Sequence, residues 1–454
     1  MNALGGAPVA MARIADSKVG TVRPAYDLLK MPPTESTELG SFFVSAQPLT
    51  ISNNSSTIEC SLPASDEHAT DLSESYVVMD VKFAAKDGEP LPAATSADLK
   101  VWVENNLAHT MFSRVNLALN DVDVYHTGSN AQQAYICSLL GETVDAKKGR
   151  LSVEGWIEDS VMGKDQSDYA TSDATAVAAR KKILAASRRV SLAFKPFTPF
   201  RDSERRIPPR VSLKLSVTRA PIKTILMSSE TAADVEVSIT RFEWFVRRCA
   251  VNPAVTRALN NRLLEGARYK LPMLRTRTRS FTIPRGVQNH RQVLSEKNFL
   301  PLELSVALVA QKAVNGDFKR SQFNYKLYGV SSYELLIDGT PLGKRLECDF
   351  KNGNAAEAYA QTLSAIGQSS TRSGNGLSYA DFLGNKTVVA WALNEPRNKE
   401  WGDYFHAKKK GTLEIQLTFE EATTETLCAQ ITDVREDVCE LDLEGRVYTT
   451  EPAV

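Results

Sequence analysis

Histidine is scarce in this chain: His68, His109, His126, His290 and His406 are the only five in 454 residues. They are scattered, and no H-E-x-x-H or similar pair occurs, which removes the common zinc hydrolases. Cysteine is thin as well. The six residues Cys60, Cys137, Cys249, Cys348, Cys428 and Cys439 form no C-x-x-C pair and have no histidine at ligand spacing, which excludes zinc ribbons and dithiol redox motifs. They read as buried, reduced thiols of an intracellular protein. Net charge is missing too, with 54 basic and 54 acidic side chains. A general nucleic-acid coat would carry a basic excess. No apolar run approaches the ~18 residues of a membrane span. The N-terminus lacks the apolar core of a signal peptide, so the chain is not expected to be secreted by that route, and the sequons at Asn53, Asn54 and Asn385 are accidental on that reading.

Motifs of chemistry are equally absent. There is no G-x-G-x-x-G and no G-x-S-x-G. Gly384-Asn-Lys386-Thr387 resembles only the tail of a phosphate-binding loop; without a glycine directly before the lysine the cradle fails, and the segment reads as the start of a strand. Asp121, Asp123, Asp338 and Asp349 cluster near turns without EF-hand spacing. No catalytic, cofactor-binding or metal-binding residue is assigned, no cofactor is expected, and the chain is not read as an enzyme.

What the chain does have is one stretch stated twice. Ser113 to Gly141 and Ser331 to Gly367 each run from an alternating strand through a tight turn, Asn120-Asp121 or Asp338-Gly339, into a helix. The helices open on nearly the same hexapeptide, Asn130-Ala-Gln-Gln-Ala-Tyr135 and Asn354-Ala-Ala-Glu-Ala-Tyr359. Asn130 and Asn354 are predicted N-caps, and Gln133 and Glu357 stand where a capping box needs them. Two further echoes fall in the same order. Tyr76 to Ala85 matches Leu302 to Ala310, and Val211 to Thr218 matches Leu413 to Glu420. All recur at close to half the chain length, as in a tandem duplication.

Residues 1–40 show no sustained period and read as an extended N-terminal arm. Residues 41–250 form a first strand-rich domain, 251–267 a linker helix and 268–454 a second domain. In the first, Ser75 to Ala85, Val190 to Phe197, Val211 to Thr218 and Val235 to Ala250 are strands, and Leu99 to Met111 is a short helix. The linker is capped by Asn252, starts on Pro253 and stops at Gly266. In the second, the strand candidates are Arg277 to Ile283, Leu302 to Ala310, Phe323 to Leu327, Tyr333 to Ile337, Lys386 to Leu393, Leu413 to Phe419, Thr426 to Ile431 and Glu440 to Thr449. The insertions at 142–188 and 368–384 are expected to be outward-facing surface loops. About eight short strands and one helix per half fit an all-β protein of two tandem jelly rolls and exclude a βαβ fold.

The residues then resemble a known family. Tyr76-Val-Val-Met-Asp-Val, His109-Thr-Met-Phe-Ser-Arg-Val-Asn-Leu-Ala-Leu-Asn120, Arg206-Ile-Pro-Pro-Arg-Val-Ser-Leu-Lys-Leu, Tyr333-Glu-Leu-Leu-Ile-Asp-Gly339 and Asn354 to Tyr359 are similar to double jelly-roll, hexon-like major capsid proteins. Those of Polinton/Maverick elements and adintoviruses are the nearest in pattern. The resemblance covers roughly Phe42 to Thr449. It implies a structural protein of an icosahedral virion, made in the host cytoplasm or nucleus, that forms homotrimers. Its trimers would be pseudo-hexagonal blocks contacting neighbouring capsomers, with penton or minor capsid proteins bound through the arm. The family has no catalytic signature, so no site residue carries over.

Two other readings compete. A two-sandwich carbohydrate-binding or attachment protein would expose loop aromatics, for which Trp156, Trp391 and Trp401 are candidates. A double-barrel enzyme would need a metal cluster that these histidines do not supply. The basic groups Arg201/Arg205/Arg206/Arg210, Arg247/Arg248, Arg275/Arg277/Arg279 and Lys408 to Lys410 read as solvated faces or inter-subunit pairs. Collected on one inner surface, they would make only weak contact with packaged nucleic acid.

Overall fold

The computed structural model describes residues 34–49, 55–159, 174–230, 233–349, 351–369, 374–393 and 405–449. The arm as far as residue 33, the centre of the first insertion and Trp401 lie outside them. Along the first half run β1 (Glu38–Ala46), β2 (Thr57–Leu62), β3 (His68–Ala85), β4 (Val101–Val103), β5 (Phe112–Leu119), β6 (Val122–Thr127), β7 (Arg189–Phe194), β8 (Leu213–Arg219), β9 (Leu226–Ser228) and β10 (Val235–Val251). The second half holds β11 (Tyr269–Ile283), β12 (Asn289–Phe299), β13 (Glu303–Ala310), β14 (Val330–Ile337), β15 (Thr340–Pro341), β16 (Leu346–Glu347), β17 (Val388–Ala392), β18 (Lys410–Phe419), β19 (Leu427–Leu441) and β20 (Val447–Thr449).

Their pairing is the same in both halves. One sheet has the order β1-β10-β3-β7 and faces β2-β8-β5-β6; in the second half β11-β19-β13-β17 faces β12-β18-β14-β15. Set aside the small β4–β9 ribbon and β20, which pairs only with the end of β19, and count β15 with the short β16 as one strand. Each half then reads first-eighth-third-sixth on one sheet and second-seventh-fourth-fifth on the other, which is the jelly-roll order. Inward alternation builds each core. Val77, Met79, Val81 and Phe83 on β3 face Leu213, Leu215 and Val217 on β8 in one, and Leu413, Ile415, Leu417 and Phe419 on β18 close the other.

The echoed segments occupy equivalent places. Tyr76 to Ala85 and Leu302 to Ala310 coincide with the third strands, Val211 to Thr218 and Leu413 to Glu420 with the seventh. The repeated hexapeptide begins a helix between the fifth and sixth strands both times, Asn130–Gly141 and Ala356–Ala365. Asn120, Asp121 and Asp338 take positive φ, as the tight hairpins require.

Several local expectations are corrected. Asn130 and Asn354 do not cap: Ser129 and Ala355 hold the cap positions. The Asn130 amide instead donates to the carbonyls of His109 and Phe112, and Asn354 exchanges backbone hydrogen bonds with Asp349. Gln133 turns to Thr127 and Tyr125, and Glu357 pairs with Lys344. Leu99 to Met111 is not one helix, because Val101–Val103 pairs with Leu226–Ser228 and only Leu107–Thr110 turns. Phe323 to Leu327 is a buried connection, not a strand. Asn289–Phe299, missing from the predicted strands, is an edge strand with only Leu294 buried, so it offers no apolar alternation. Thr426 to Ile431 and the start of Glu440 to Thr449 belong to one long strand, Leu427–Leu441.

Candidate assembly surfaces

The residues most deeply committed are those that join the two barrels. The Asn130–Gly141 helix leaves the first barrel, yet Ala131, Tyr135, Ile136, Leu139 and Leu140 belong to the apolar cluster of the second. Tyr135 lies between Phe323, 4.3 Å away and 5° from parallel, and Trp156, 5.1 Å away at 25°. Gln132 donates to Gln322 at 2.6 Å. Lys386 pairs with Glu158 at 2.5 Å. Lys147 donates to the carbonyls of Leu139 (2.8 Å) and Asn375 (2.6 Å), and burial pushes its pKa down to about 8. At the opposite margin Asn120 donates to the Gly445 carbonyl at 2.8 Å.

Strands β11 and β19 are shared by both barrels. Leu271, Met273, Cys439 and Leu441 join the first apolar cluster, whereas Ile283, Leu427, Ala429 and Ile431 join the second. Between the two groups lies a belt of charge. Arg275 pairs with Asp437 at 2.8 Å, Arg435 with Asp433 at 2.6 Å, and Arg277 approaches Asp433 at 3.6 Å. Buried charges survive only when paired in this way. Arg275 is therefore an internal structural feature, whereas Arg277 (27% exposed) and Arg279 (30%) reach Asp433 from a part-exposed face.

Of the other basic groups, Arg201 and Arg248 are buried, while Arg210 and Lys408 to Lys410 stay on solvated faces. Arg201 pairs with Glu142, Arg206 with Glu38 and Asp71, Arg210 with Asp66, and Arg247 with Asp71. Arg205 donates to the Lys270 carbonyl, Arg248 to Thr70 and the Pro63 carbonyl. Lys408 and Lys410 lie over Phe299.

Residues read for chemistry have packing roles. Buried His109 contacts Glu154 at 3.1 Å, and burial holds its pKa below the usual histidine value. His406 pairs with Glu436 at 2.8 Å. Among the described residues no group of three or more His, Cys, Asp or Glu could hold a metal ion. Five of the six cysteines are buried, and burial pushes the Cys60, Cys348 and Cys439 thiols up to about 12. Trp156 and Trp391 are buried and are not the exposed loop aromatics of a glycan site. Lys386 starts no phosphate loop but anchors the junction. Both insertions are only in part surface loops: Leu151, Trp156, Arg180 and Leu184 are buried in the first, although Val153 is 46% exposed, and Asn375, Leu377 and Phe382 are buried in the second. Sequence reasoning missed Gln132, Lys147, Glu158 and Gln322 because polar residues meeting across the junction leave no period.

One face is open and apolar. On the β1-β10-β3-β7 sheet, Val77, Met79, Trp244 and Val246 point to the core, which turns Tyr76 and Phe245 outward. These two stack at 5.3 Å, and Phe43 meets Tyr76 at 5.7 Å. Leu39 (66 % exposed) and Phe43 (50 %) extend the patch along β1, whereas Phe42 (47 %) lies on the opposite side of the strand against His68. The Phe42-Phe43 pair was a usable signal, since adjacent strand residues cannot both face one core. The far side of the second barrel presents the polar outer face of β12 and β18, with exposed Val293 beside the Arg291–Glu414 pair. No helix among the described residues is long and apolar enough to cross a membrane.

Comparison with known proteins bears on the fold. No protein-family model matches the chain. An uncharacterized protein of Caenorhabditis elegans is 24% identical over 313 residues, 65% of this chain and 70% of its own. Among solved structures, a chain of the Sputnik virophage superposes with a TM-score of 0.60 at 11% identity, covering 96% of this chain and 94% of that one. The Faustovirus major capsid protein gives 0.57 at 10% identity, covering 95% and 94%. The mavirus major capsid protein gives 0.51 at 12%, covering 96% of each. Two barrels of one topology, joined through a shared pair of strands and matched over nearly their whole length, give this chain the double jelly-roll fold of viral major capsid proteins.

Proposed function

We propose that this protein is a structural major capsid protein whose trimers tile an icosahedral shell. The observation that carries the reading is the duplication itself: two jelly rolls of identical strand order, packed against each other in one chain. Such a chain presents two similar but unlike ends. Its inner junction uses the first sheet of the second barrel. The corresponding sheet of the first barrel, β1-β10-β3-β7, carries the open aromatic patch, and the second barrel leaves its far side free. Head-to-tail pairing of unlike surfaces closes into a ring when the rotation fits. Three chains then supply six similar barrels around one axis, a near-hexagonal block suited to tiling. The protein resides in the virion on this reading.

The domain division follows the same proposal. Residues 1–40 are an arm, 41–250 the first barrel, 251–267 the linker and 268–454 the second barrel. In support, β10 ends at Val251, the Pro253–Leu264 helix follows, and β11 begins at Tyr269. The arm reaches the first barrel beside that linker, where Asn252 donates to the carbonyls of Ser36 and Thr37. On this reading the arm binds neighbouring capsomers or minor capsid proteins.

The test is the solution mass of the purified protein by light scattering, with negative-stain images of the same peak. A species of three times 49.9 kDa with a hexagonal outline, or closed shells, is expected. A stable monomer that never assembles would overturn the reading. Removing residues 1–33, which stops short of β1, should leave trimers intact and impair shells. Normal shells from that truncation would sink the role given to the arm.

A further inference from the structure

One chain already contains a joint between two barrels, and that joint shows which surfaces fit. The first barrel supplies the flank at its fifth and sixth strands, where the Asn130–Gly141 helix lies. The second supplies its first strand, β11, at the end of a sheet. The helix packs on β11 and β19, β6 reaches β11, and Leu271 and Met273 of β11 are buried in the first barrel's apolar cluster.

Each barrel also carries the surface that the other one uses there, and both of these are open. β1 is the first strand of the first barrel and, like β11, ends its sheet; among the described residues no strand pairs with its outer edge. Leu39 to Ala46 hold no charge. Phe42 and Phe43 straddle the strand, and both are exposed with Leu39, whereas Leu271 and Met273 of β11 are covered. Free sheet edges are normally blunted by charge or proline, and a contiguous apolar patch marks a contact.

On the second barrel the flank at the fifth and sixth strands carries the Ala356–Ala365 helix, packed on β16 and β17. In Asn130–Gly141 only Cys137 and Gly141 escape burial, but Ala356–Ala365 shows Ala356, Ala360 and Ser364 to solvent, one turn apart on one face. Bulk is exchanged between the two cases. In the internal joint the helix brings Ile136, Leu139 and Leu140. In the open pair the large side chains are on the strand, and the small row on the helix leaves room for them, as close packing requires.

We propose that the open β1 edge of one copy is covered by the Ala356–Ala365 flank of a second copy, repeating the internal joint between chains. The contact rests on the trimer reading and adds to it which face of the second barrel is used: the helix flank, not the polar outer face of β12 and β18.

The experiment measures the mass of the full chain by light scattering, with circular dichroism to confirm folding. Phe43→Asp and Ala360→Arg each place a charge in the proposed contact, which is costly once buried. Both are expected as folded single chains at a concentration where the unaltered protein has the mass of three. Val293→Asp, on the outer face of β12, should leave trimers intact. The pair Phe43→Cys with Ala360→Cys, treated with a bismaleimide, should link copies on a denaturing gel, and neither single variant should. If a charge variant does not fold, the cysteine pair carries the test. Trimers that survive either charge, dissociation by Val293→Asp, or a cysteine pair that links no copies would overturn this contact and leave the trimer reading standing. A dimer that both charges dissociate would keep the contact and overturn the trimer. An unaltered protein that stays monomeric would overturn both.

Discussion

Replacing Phe323 by leucine removes one ring of the stack that joins the barrels while keeping most of the apolar volume. Phe323, Tyr135 and Trp156 are all buried, and the 4.3 Å near-parallel contact between Phe323 and Tyr135 is an offset-stacking geometry worth about 0.5–1.5 kcal/mol beyond buried area. The loss of aromatic volume adds a repacking cost of up to about 1.5 kcal/mol. Phe323→Leu should therefore destabilise by about 0.5–3 kcal/mol. The part that belongs to the contact is isolated by a double-mutant cycle with Tyr135→Leu, followed in urea through tryptophan fluorescence. A coupling energy of about 0.5–1.5 kcal/mol is expected. Because Tyr135 comes from the first half and Phe323 from the second, that coupling is also a measure of how firmly the barrels are joined. A coupling below ~0.3 kcal/mol, the scatter seen for independent sites, would refute the argument.

Three further outcomes follow from the junction and its surroundings. Lys147, held near a pKa of about 8 by burial against a normal 10.5, binds fewer protons folded than unfolded between those values. Stability should thus rise from pH 8 to 10.5 relative to Lys147→Met, and parallel urea midpoints for the two proteins over that range would contradict it. His109 has the same sign at lower pH: its depressed folded pKa means stability is lost as pH falls through the unfolded value near 6.5. His109→Gln should flatten that part of the Tm profile. Gly376 has φ +77°, and an added Cβ would stand 2.6 Å from Val144 Cγ2 of the first half, so Gly376→Ala should cost about 2 kcal/mol or more in thermal unfolding.

Much of the architecture was legible in the sequence, for a physical reason. Inward-facing residues must alternate along a half-buried strand, so Val211 to Thr218 and Leu413 to Phe419 declare themselves, and duplication makes each echo check the other. Asn252, whose side chain accepts from the Ala254 amide, and Pro253 set the linker helix start through local backbone chemistry alone. Where a segment's environment comes from elsewhere in the chain, the pattern fails. The edge strand Asn289–Phe299 buries almost nothing and looks like a loop. Thr432 to Asp437 looks like a loop because it is charged, yet it is a strand because Arg275 and Arg277 bring opposite charges across from β11.

Alternation, turns and caps are short-range rules, so the number of barrels, their order and the helix that links them could be read along the chain. How the barrels are joined was settled by long-range packing. It turned Asn130 from a cap into a brace and buried Leu151, Trp156 and Arg180 of one insertion and Leu377 and Phe382 of the other. It placed Lys147, Glu158 and Lys386 in one polar seam. It also left Phe43, Tyr76 and Phe245 on an open face. Each of these depends on which distant residue arrives opposite, and that is a property of the packed chain, not of any window along it.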